Sequence, residues 1–351
     1  MNKSSTKKGI PSSVIKLTVF AVVCALVIGI CSAVARSGGY SFVKTIYQGN
    51  GIYNAFFNGN IDADLDIPIA ETDAINEIPE YVEELFGDVQ YSPIACLMTT
   101  EGQVVMDKDA DRQFFPASIT KIMSAIITLE KIGNLEKTYL TVDQDTINYC
   151  SYQGAAVCGY KAGESVSAKD LLYGSLIASG ADATITLAKH IGGSEEGFAE
   201  LMNAKAEEYG LKNTHFTNST GLHNAKHYSS AHDLAIILNH ALEIEQLREI
   251  MQLRTYQTFD CSEHKTGDGL WYVSTVYKAF RNAGIDMGHI KGGKTGFTDD
   301  ALLCLATFAE FEIEGENKTF ILVTLGAGEG DNDTPYHVYD ADAVFNKKSE
   351  K

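Results

Sequence analysis

The position of short apolar runs, at both ends of the globular part of the chain, is the sequence feature that most constrains the fold. Residues 94–98 and 103–106 form one pair of runs, and residues 301–308 and 319–325 form another. A polar segment containing glycine joins the runs of each pair, and helical patterns fill the chain between the pairs. We therefore predict an α+β fold in which the two ends of the chain complete one antiparallel β-sheet and helices cover both of its faces.

The middle of the chain is predicted to be mostly helical. After Pro116, apolar residues recur three and four positions apart as far as residue 129, which predicts a buried helix. Residues 171–190 are a long apolar helical stretch interrupted at 179–182, and residues 195–209 have the spacing of an amphipathic helix. Residues 213–227 are polar and predict a loop.

Composition and charge exclude several classes of partner. The chain has 351 residues, of which 45% are hydrophobic, and this is enough for a substantial core. The formal net charge of −18 argues against a nucleic-acid partner, because phosphates attract a basic surface. The same charge argues against docking of the folded part on anionic lipid.

Metal and disulfide signals are weak. No Cys-x-x-Cys motif is present, which argues against a zinc ribbon. His223 and His227 would chelate zinc if they lay on a helix, but their polar surroundings predict a loop. Cys150 and Cys158 flank a short loop and could form a disulfide in an exported protein, with two free thiols as the alternative.

The N-terminal region is predicted to be separate from the globular part. Residues 17–35 are uncharged and mostly apolar, follow a lysine-containing segment and end in Ala-x-Ala. A run of this length spans a bilayer at about 1.5 Å per residue. We predict that residues 1–35 are a cleaved signal peptide or a membrane anchor, so that the remainder lies outside the cytoplasm. Residues 36–84 are predicted to be an acidic linker, and a small folded element within it is the alternative. Residues 85–346 are predicted to be a globular domain.

Ser118 and Lys121 are the candidate catalytic pair. Ser118 lies where the helix after Pro116 should begin, among unpaired backbone N–H groups and the positive end of the helix dipole. Lys121 follows on the same helical face. Burial and the dipole lower the pKa of such an amine, so that it can accept the proton of a serine nucleophile. Ser-x-x-Lys also occurs at five other serines, in the N-terminal region or a polar loop, so context alone selects Ser118.

The triplet Lys294-Thr295-Gly296 is the second candidate site. A lysine and a threonine at a strand edge suit the binding of a carboxylate, and glycine lets a ligand backbone approach. The same triplet at residues 265–267 has no strand behind it and is interpreted as chance. Residues 288–295 also satisfy the phosphate-binding loop pattern, but a polar segment precedes them and glycine follows where that loop requires a helix. Nucleotide binding is therefore not predicted.

Together these segments resemble the serine D-alanyl-D-alanine carboxypeptidases, the low-molecular-mass penicillin-binding proteins of the DD-peptidase and serine β-lactamase-like superfamily. The resemblance covers roughly residues 90–345, and its parts follow the family's order along the chain. They lie at residues 116–121 (the nucleophile box), 171–174 and 179–183 (the second box), 198–206, 214–222, 227–235 and 294–296 (the third box). The resemblance implies that residues 85–346 are a DD-peptidase catalytic domain without the family's frequent C-terminal β-domain.

The resemblance also implies a mechanism that needs no metal or cofactor. Ser118 would attack the peptide bond between the two terminal D-alanines of a peptidoglycan stem peptide, and Lys121 would accept its proton. Ser179 would relay a proton to the leaving amine. Water would then hydrolyse the acyl-enzyme, and β-lactam inhibitors would acylate the same serine.

The third box has the binding role in this scheme. Lys294 and Thr295 would hold the terminal carboxylate, and Gly296 would allow the substrate to approach. The backbone N–H groups of Phe297 and of the nucleophilic serine would bind the oxyanion.

Ala181 is a departure from the family pattern. The second box is usually Ser-x-Asn, and this chain has alanine where the asparagine amide would hydrogen-bond substrate and the catalytic lysine. Losing such a bond costs about 1–3 kcal/mol, or roughly 5- to 200-fold in rate. The predicted function is a D-Ala-D-Ala carboxypeptidase of the cell envelope. The alternatives are a D,D-endopeptidase and a membrane-tethered peptidoglycan-binding relative with little turnover.

Overall fold

The structure is a computed structural model, and its described part comprises residues 46–48, 51–53, 85–258, 269–328 and 334–346. The predicted signal peptide or membrane anchor lies outside these ranges. Within them, no helix combines the length and the hydropathy needed to cross a membrane.

The chain divides into two compact units, residues 1–73 and 74–351. In the first unit, β1 (Ile46–Gln48) and β2 (Gly51–Tyr53) pair in antiparallel fashion. A short hairpin therefore lies inside the range that was predicted to be a linker.

The second unit contains the remaining strands and all the described helices. Its strands are β3 (Ile94–Thr99), β4 (Val104–Lys108), β5 (Tyr139–Thr141), β6 (Ser165–Ser167), β7 (Thr255–Gln257), β8 (Trp271–Val273), β9 (Ile290–Thr298), β10 (Leu302–Ile313) and β11 (Glu316–Ala327). Its helices are α1 (Lys121–Lys131), α2 (Gln144–Tyr152), α3 (Ala168–Ile177), α4 (Ala181–Gly192), α5 (Glu195–Glu208), α6 (Ala231–Glu243), α7 (Glu245–Gln252), α8 (Thr275–Ala283) and α9 (Tyr336–Phe345).

The central feature of this unit is a five-stranded antiparallel sheet in the order β4-β3-β11-β10-β9. The apolar runs predicted at the two ends of the globular part form β3, β4, β10 and β11, and β3 pairs with β11, so both ends of the chain do complete one sheet. The long strands β10 and β11 pair from Leu303 with Ala327 to Ile313 with Glu316. Strand β9, which carries the third box, forms the free edge beyond β10.

Helices cover both faces of the sheet, as predicted. Because side chains alternate along a strand, Ile94, Cys96 and Met98 of β3 face one core, and Ala95 and Leu97 face the other. The larger core includes buried residues of α1 and α3 to α6. The smaller core includes buried residues of α8 and α9. The α+β prediction is confirmed.

The start of the nucleophile helix differs from the prediction. A 3₁₀ helix, Ala117–Thr120, precedes α1, so Ser118 lies in this tighter turn and α1 begins at Lys121. The backbone N–H of Ile119 donates to the carbonyl of Pro116 across 3.2 Å, which closes the turn. The predicted interruption at 179–182 is confirmed, because α3 ends and α4 begins on either side of Ser179.

Candidate active site

The turn that carries Ser118 is held between two other segments of the chain. Ala117 has a φ of 46°, a left-handed conformation that is unusual for a residue with a side chain. A Cβ atom on Gly221 would lie 1.8 Å from the carbonyl oxygen of Ala117, and one on Gly296 would lie 3.2 Å from the backbone nitrogen of Ser118. Glycine at these two positions therefore lets the 213–227 loop and strand β9 meet at the serine.

The Lys121 amine contacts the Ser118 hydroxyl. Its Nζ donates to Ser118 Oγ across 2.9 Å and to the backbone carbonyl of Thr220 across 2.9 Å. The Lys121 residue is only 2% exposed. Burial lowers the pKa of Lys121 to about 8, although nearby thiols and carboxylates oppose part of this effect. The amine can therefore lose its proton near neutral pH, as a general base requires.

Lys294 and Ser179 form the second pair of the site. Lys294 Nζ donates to Ser179 Oγ across 2.9 Å and to the carbonyl of Thr295 across 2.8 Å. Ser179 connects α3 to α4 in a left-handed conformation, with φ of 59°. Lys294 is fully buried, and burial together with the charge of Lys121 lowers its pKa well below the usual value. The hydroxyl on the α3–α4 turn and the amine on the edge strand thus face each other.

Hydrogen bonds to the segment around Cys158 hold the α3–α4 turn in place. The Asp182 carboxylate accepts from the backbone N–H groups of Cys158 across 2.8 Å, of Gly159 across 3.2 Å and of Ala183 across 2.9 Å. A Cβ atom on Gly180 would lie 2.1 Å from Cys158 Sγ. The thiol therefore packs directly against the second box.

The side chain of Ala181 has apolar neighbours. It packs with Cys150 and Ile185 in a small buried cluster, and its N–H donates to the carbonyl of Ala156 across 2.7 Å. Cys150 and Cys158 both carry free thiols, so the disulfide that the sequence left open is not formed.

The two histidines that are four residues apart lie in a loop, as predicted, and have separate partners. The backbone N–H of Thr217 donates to His227 Nδ1 across 3.1 Å, so the ring carries its proton on Nε2, which lies 2.9 Å from Thr120 Oγ1. His227 is buried, and this lowers its pKa to about 3. His223 Nδ1 instead lies 3.2 Å from a carboxylate oxygen of Asp300. In the described part of the chain, His, Cys, Asp and Glu side chains form no group of three or more that could hold a metal ion.

The remaining predicted residues lie on strand β9. Thr295 and Phe297 are partly buried there, and Gly296 between them lies against the serine turn. Sequence reasoning missed Thr220, whose carbonyl accepts from Lys121, and Glu195, whose carboxylate accepts from Ser219. Their only sequence signal was the position of Thr220 inside the 214–222 signature.

A comparison with protein families gives one match over this region. The family model described as D-alanyl-D-alanine carboxypeptidase matches residues 92–329, a range that contains both lysine–serine pairs and the β9 triplet. The chain belongs to this family.

Curated members of the D-alanyl-D-alanine carboxypeptidase family are similar to this chain. DacF of Bacillus subtilis is 36% identical over 209 residues, which are 60% of this chain and 51% of the relative. DacA of Escherichia coli is 35% identical over 206 residues, which are 57% of this chain and 48% of the relative. The chain thus spans about half the length of the curated relatives it matches.

Solved structures of a DD-transpeptidase and of a penicillin binding protein have the same fold. The Streptomyces K15 DD-transpeptidase is similar with a TM-score of 0.63 and 26% identity, over 73% of this chain and 96% of that enzyme. Penicillin binding protein 5 from Haemophilus influenzae is similar with a TM-score of 0.60 and 25% identity, over 72% of this chain and 70% of that protein.

Proposed function

We propose that the protein is a serine D-alanyl-D-alanine carboxypeptidase, which removes the terminal D-alanine of peptidoglycan stem peptides through an acyl-enzyme. The observation that carries this proposal is the 2.9 Å contact between Lys121 Nζ and Ser118 Oγ. It joins a nucleophile to an amine whose pKa burial has lowered to about 8, in a chain that belongs to this family.

Acylation begins at the first pair. Ser118 Oγ attacks the carbonyl carbon of the penultimate D-alanine and gives its proton to Lys121 Nζ. The negative charge then moves to the carbonyl oxygen, where the backbone N–H groups of Ser118 and Phe297 stabilise it.

Collapse of the tetrahedral intermediate uses the second pair. The C–N bond breaks and D-alanine departs, while Ser179 donates its proton to the leaving amine and takes up the proton that Lys121 received from Ser118. Lys294 and Thr295 bind the carboxylate of that D-alanine, and the 2.9 Å contact between Lys294 Nζ and Ser179 Oγ favours the hydroxyl as a proton donor and relay. Water attacks the acyl-enzyme with the same groups acting in reverse.

The cellular context follows from the same proposal. Residues 85–346 would be the catalytic domain, and residues 36–84 would be an acidic linker that holds it away from the membrane. Residues 1–35 would direct export and either be cleaved or remain as an anchor, so that the enzyme acts in the cell envelope. Its partners would be stem peptides ending in D-Ala-D-Ala and β-lactam inhibitors, which present a carboxylate and a reactive carbonyl in the same geometry.

The test is mass spectrometry of the full chain after incubation with penicillin, beside Ser118→Ala. A parallel assay measures D-alanine release from a peptide that ends in D-Ala-D-Ala. An adduct on Ser118 together with release is the expected result. Absence of an adduct on the folded wild-type protein would refute the assignment of the nucleophile. An adduct with cleavage of crosslinked peptides only would indicate an endopeptidase, and an adduct with transfer to an added amine would indicate a transpeptidase.

A further inference from the structure

The second hydrogen-bond partner of Lys121 comes from a loop and not from the second box. The carbonyl of Thr220 accepts from Lys121 Nζ across 2.9 Å. A carbonyl oxygen can only accept, so it always engages an N–H of the amine. When Lys121 is neutral, this contact leaves the nitrogen lone pair free to point at Ser118 Oγ. The position of the Thr220 carbonyl therefore affects how well Lys121 can act as a base.

Asn218 fixes the local shape of this loop. Its Oδ1 accepts from the backbone N–H groups of Thr220 across 3.1 Å and of Gly221 across 2.8 Å. Its Nδ2 donates to the carbonyl of Leu222 across 3.0 Å. These contacts hold the loop in one conformation, but all of them are internal to it.

Glu195 and Ser124 attach the loop to the rest of the domain through Ser219. The Glu195 carboxylate, at the first residue of α5, accepts from the backbone N–H of Ser219 across 3.2 Å and from its hydroxyl across 2.7 Å. On the other side, Ser124 Oγ of α1 donates to the carbonyl of Ser219 across 2.6 Å. Ser124 lies one helical turn after Lys121, so the loop is tied to the helix that carries the amine.

We propose that Glu195 is a positioning residue for Lys121, which acts through Ser219 to aim the Thr220 carbonyl at the amine. In this way the loop supplies the restraint on Lys121 that a second-box asparagine would supply, and that the methyl group of Ala181 cannot. The inference rests on the proposed function, in which Lys121 is the base.

The charge of Glu195 also affects the pKa of Lys121. The test must distinguish this electrostatic effect from the positioning of Ser219 by the Glu195 hydrogen bonds. Four acidic groups raise the pKa of Lys121 and so oppose the effect of burial. They are Cys150 on α2, Cys158 beside the second box, Asp182 on α4 and Glu195 on α5. Lys294 on β9 and His227 in the loop are the further titratable groups that face it. Loss of the Glu195 charge alone should therefore lower the pKa of Lys121.

Two conservative variants separate these effects. Glu195→Asp keeps the charge but shortens the side chain by one methylene, so it should lose its contacts with Ser219. Glu195→Gln keeps the length and an oxygen acceptor for the Ser219 N–H but removes the charge. Glu196→Asp and Glu196→Gln are matched controls, because Glu196 is the next residue of the same helical turn and is exposed.

The experiment measures the second-order rate of acylation by penicillin as a function of pH for the full-length wild type and these four variants. Glu195→Asp should lower the plateau rate at alkaline pH by about tenfold or more, with an unchanged midpoint. Glu195→Gln should keep a plateau near that of the wild type, with its midpoint at lower pH. Both Glu196 variants should follow the wild-type curve.

A wild-type plateau for folded Glu195→Asp would overturn the inference, and so would an equal loss of rate in Glu196→Asp. If Glu195→Asp does not fold, Ser219→Ala decides, because it removes only the 2.7 Å hydroxyl contact. This variant should also lower the plateau, and a wild-type plateau would overturn the inference. Failure of the proposed function is distinguishable, because in that case the wild type itself would form no adduct on Ser118.

Discussion

The amine of Lys294 lies 2.9 Å from the hydroxyl of Ser179, although the two residues are 115 positions apart in the chain. The same amine donates to the carbonyl of Thr295 on its own strand. The contact therefore joins the edge strand β9 to the α3–α4 turn. It places an N–H donor next to the hydroxyl that is proposed to carry a proton to the leaving group.

Replacement of Ser179 by alanine should slow acylation without preventing it. We expect the second-order rate with penicillin to fall by about 10²- to 10⁴-fold, the usual contribution of a positioned proton donor. Time-resolved mass spectrometry of the adduct measures this rate. Ser175→Ala is the control, because Ser175 is a buried serine of the adjacent helix whose hydroxyl lies 2.7 Å from that of Thr184. Equal rates for the two variants would contradict the role of Ser179.

The rate of acylation should increase with pH and level off above the pKa of Lys121, at about 8. Below this value the amine is protonated and cannot accept the Ser118 proton, so the rate should fall about tenfold for each pH unit. Stopped-flow measurement with a fluorescent penicillin gives the profile. Lys121→Arg keeps the positive charge but cannot lose its proton, and this variant should show no acylation across the same range. A wild-type rate that does not change between neutral and alkaline pH would rule out Lys121 as the base.

Gly174 should be coupled energetically to Cys158. A Cβ atom on Gly174 would lie 2.4 Å from Cys158 Sγ and 3.3 Å from the ring of Tyr272. Gly174→Ala alone should therefore lower the free energy of unfolding by about 1–3 kcal/mol. In a Cys158→Ala background the main clash is gone, and alanine also regains about 0.5–1 kcal/mol of helix preference.

Urea unfolding of the wild type, the two single variants and the double variant measures this coupling. We expect a coupling free energy of about 1 kcal/mol or more, which favours the double variant. Additive effects would show that the thiol does not restrict this position.

His227 should make the stability of the domain sensitive to acid. Its pKa is about 3 in the folded protein, below the usual value near 6.5, because burial disfavours the charged ring. The unfolded chain therefore binds the proton more tightly, so this contribution is complete above pH 6.5 and is lost as the pH falls towards 3. At pH 5 the loss from this group is about 2 kcal/mol.

Thermal or urea unfolding of His227→Gln at several pH values tests whether His227 causes the loss of stability in acid. The variant should be less stable at neutral pH, because the contact with the Thr217 N–H is lost, and its stability should fall less steeply with acid. His232→Gln is the control, because His232 lies near the surface beside Asp111. If the stability of His227→Gln and of the wild type falls equally with acid, His227 is not the group responsible.

Much of the fold was predictable because it depends on local patterns. The apolar runs that became β3 and β11 are continuous because both faces of these central strands are buried, and the helix after Pro116 has a periodic apolar face. The details of the serine turn were less predictable. The 3₁₀ turn before α1 arises where Gly221 and Gly296 pack on both sides of Ala117, and these glycines are distant from it in sequence.

Residue types at short spacing and hydrophobic periodicity predicted the candidate pair Ser118 and Lys121, the third box and the antiparallel sheet. The order of the motifs along the chain came from the family resemblance. The folded chain was needed to show that Cys150 and Cys158 are free thiols and that the Thr220 carbonyl, 99 residues from Lys121, is the second partner of the amine. The physical reason is that every residue has the same backbone carbonyl, so the folded path of the chain alone selects the one that meets the amine.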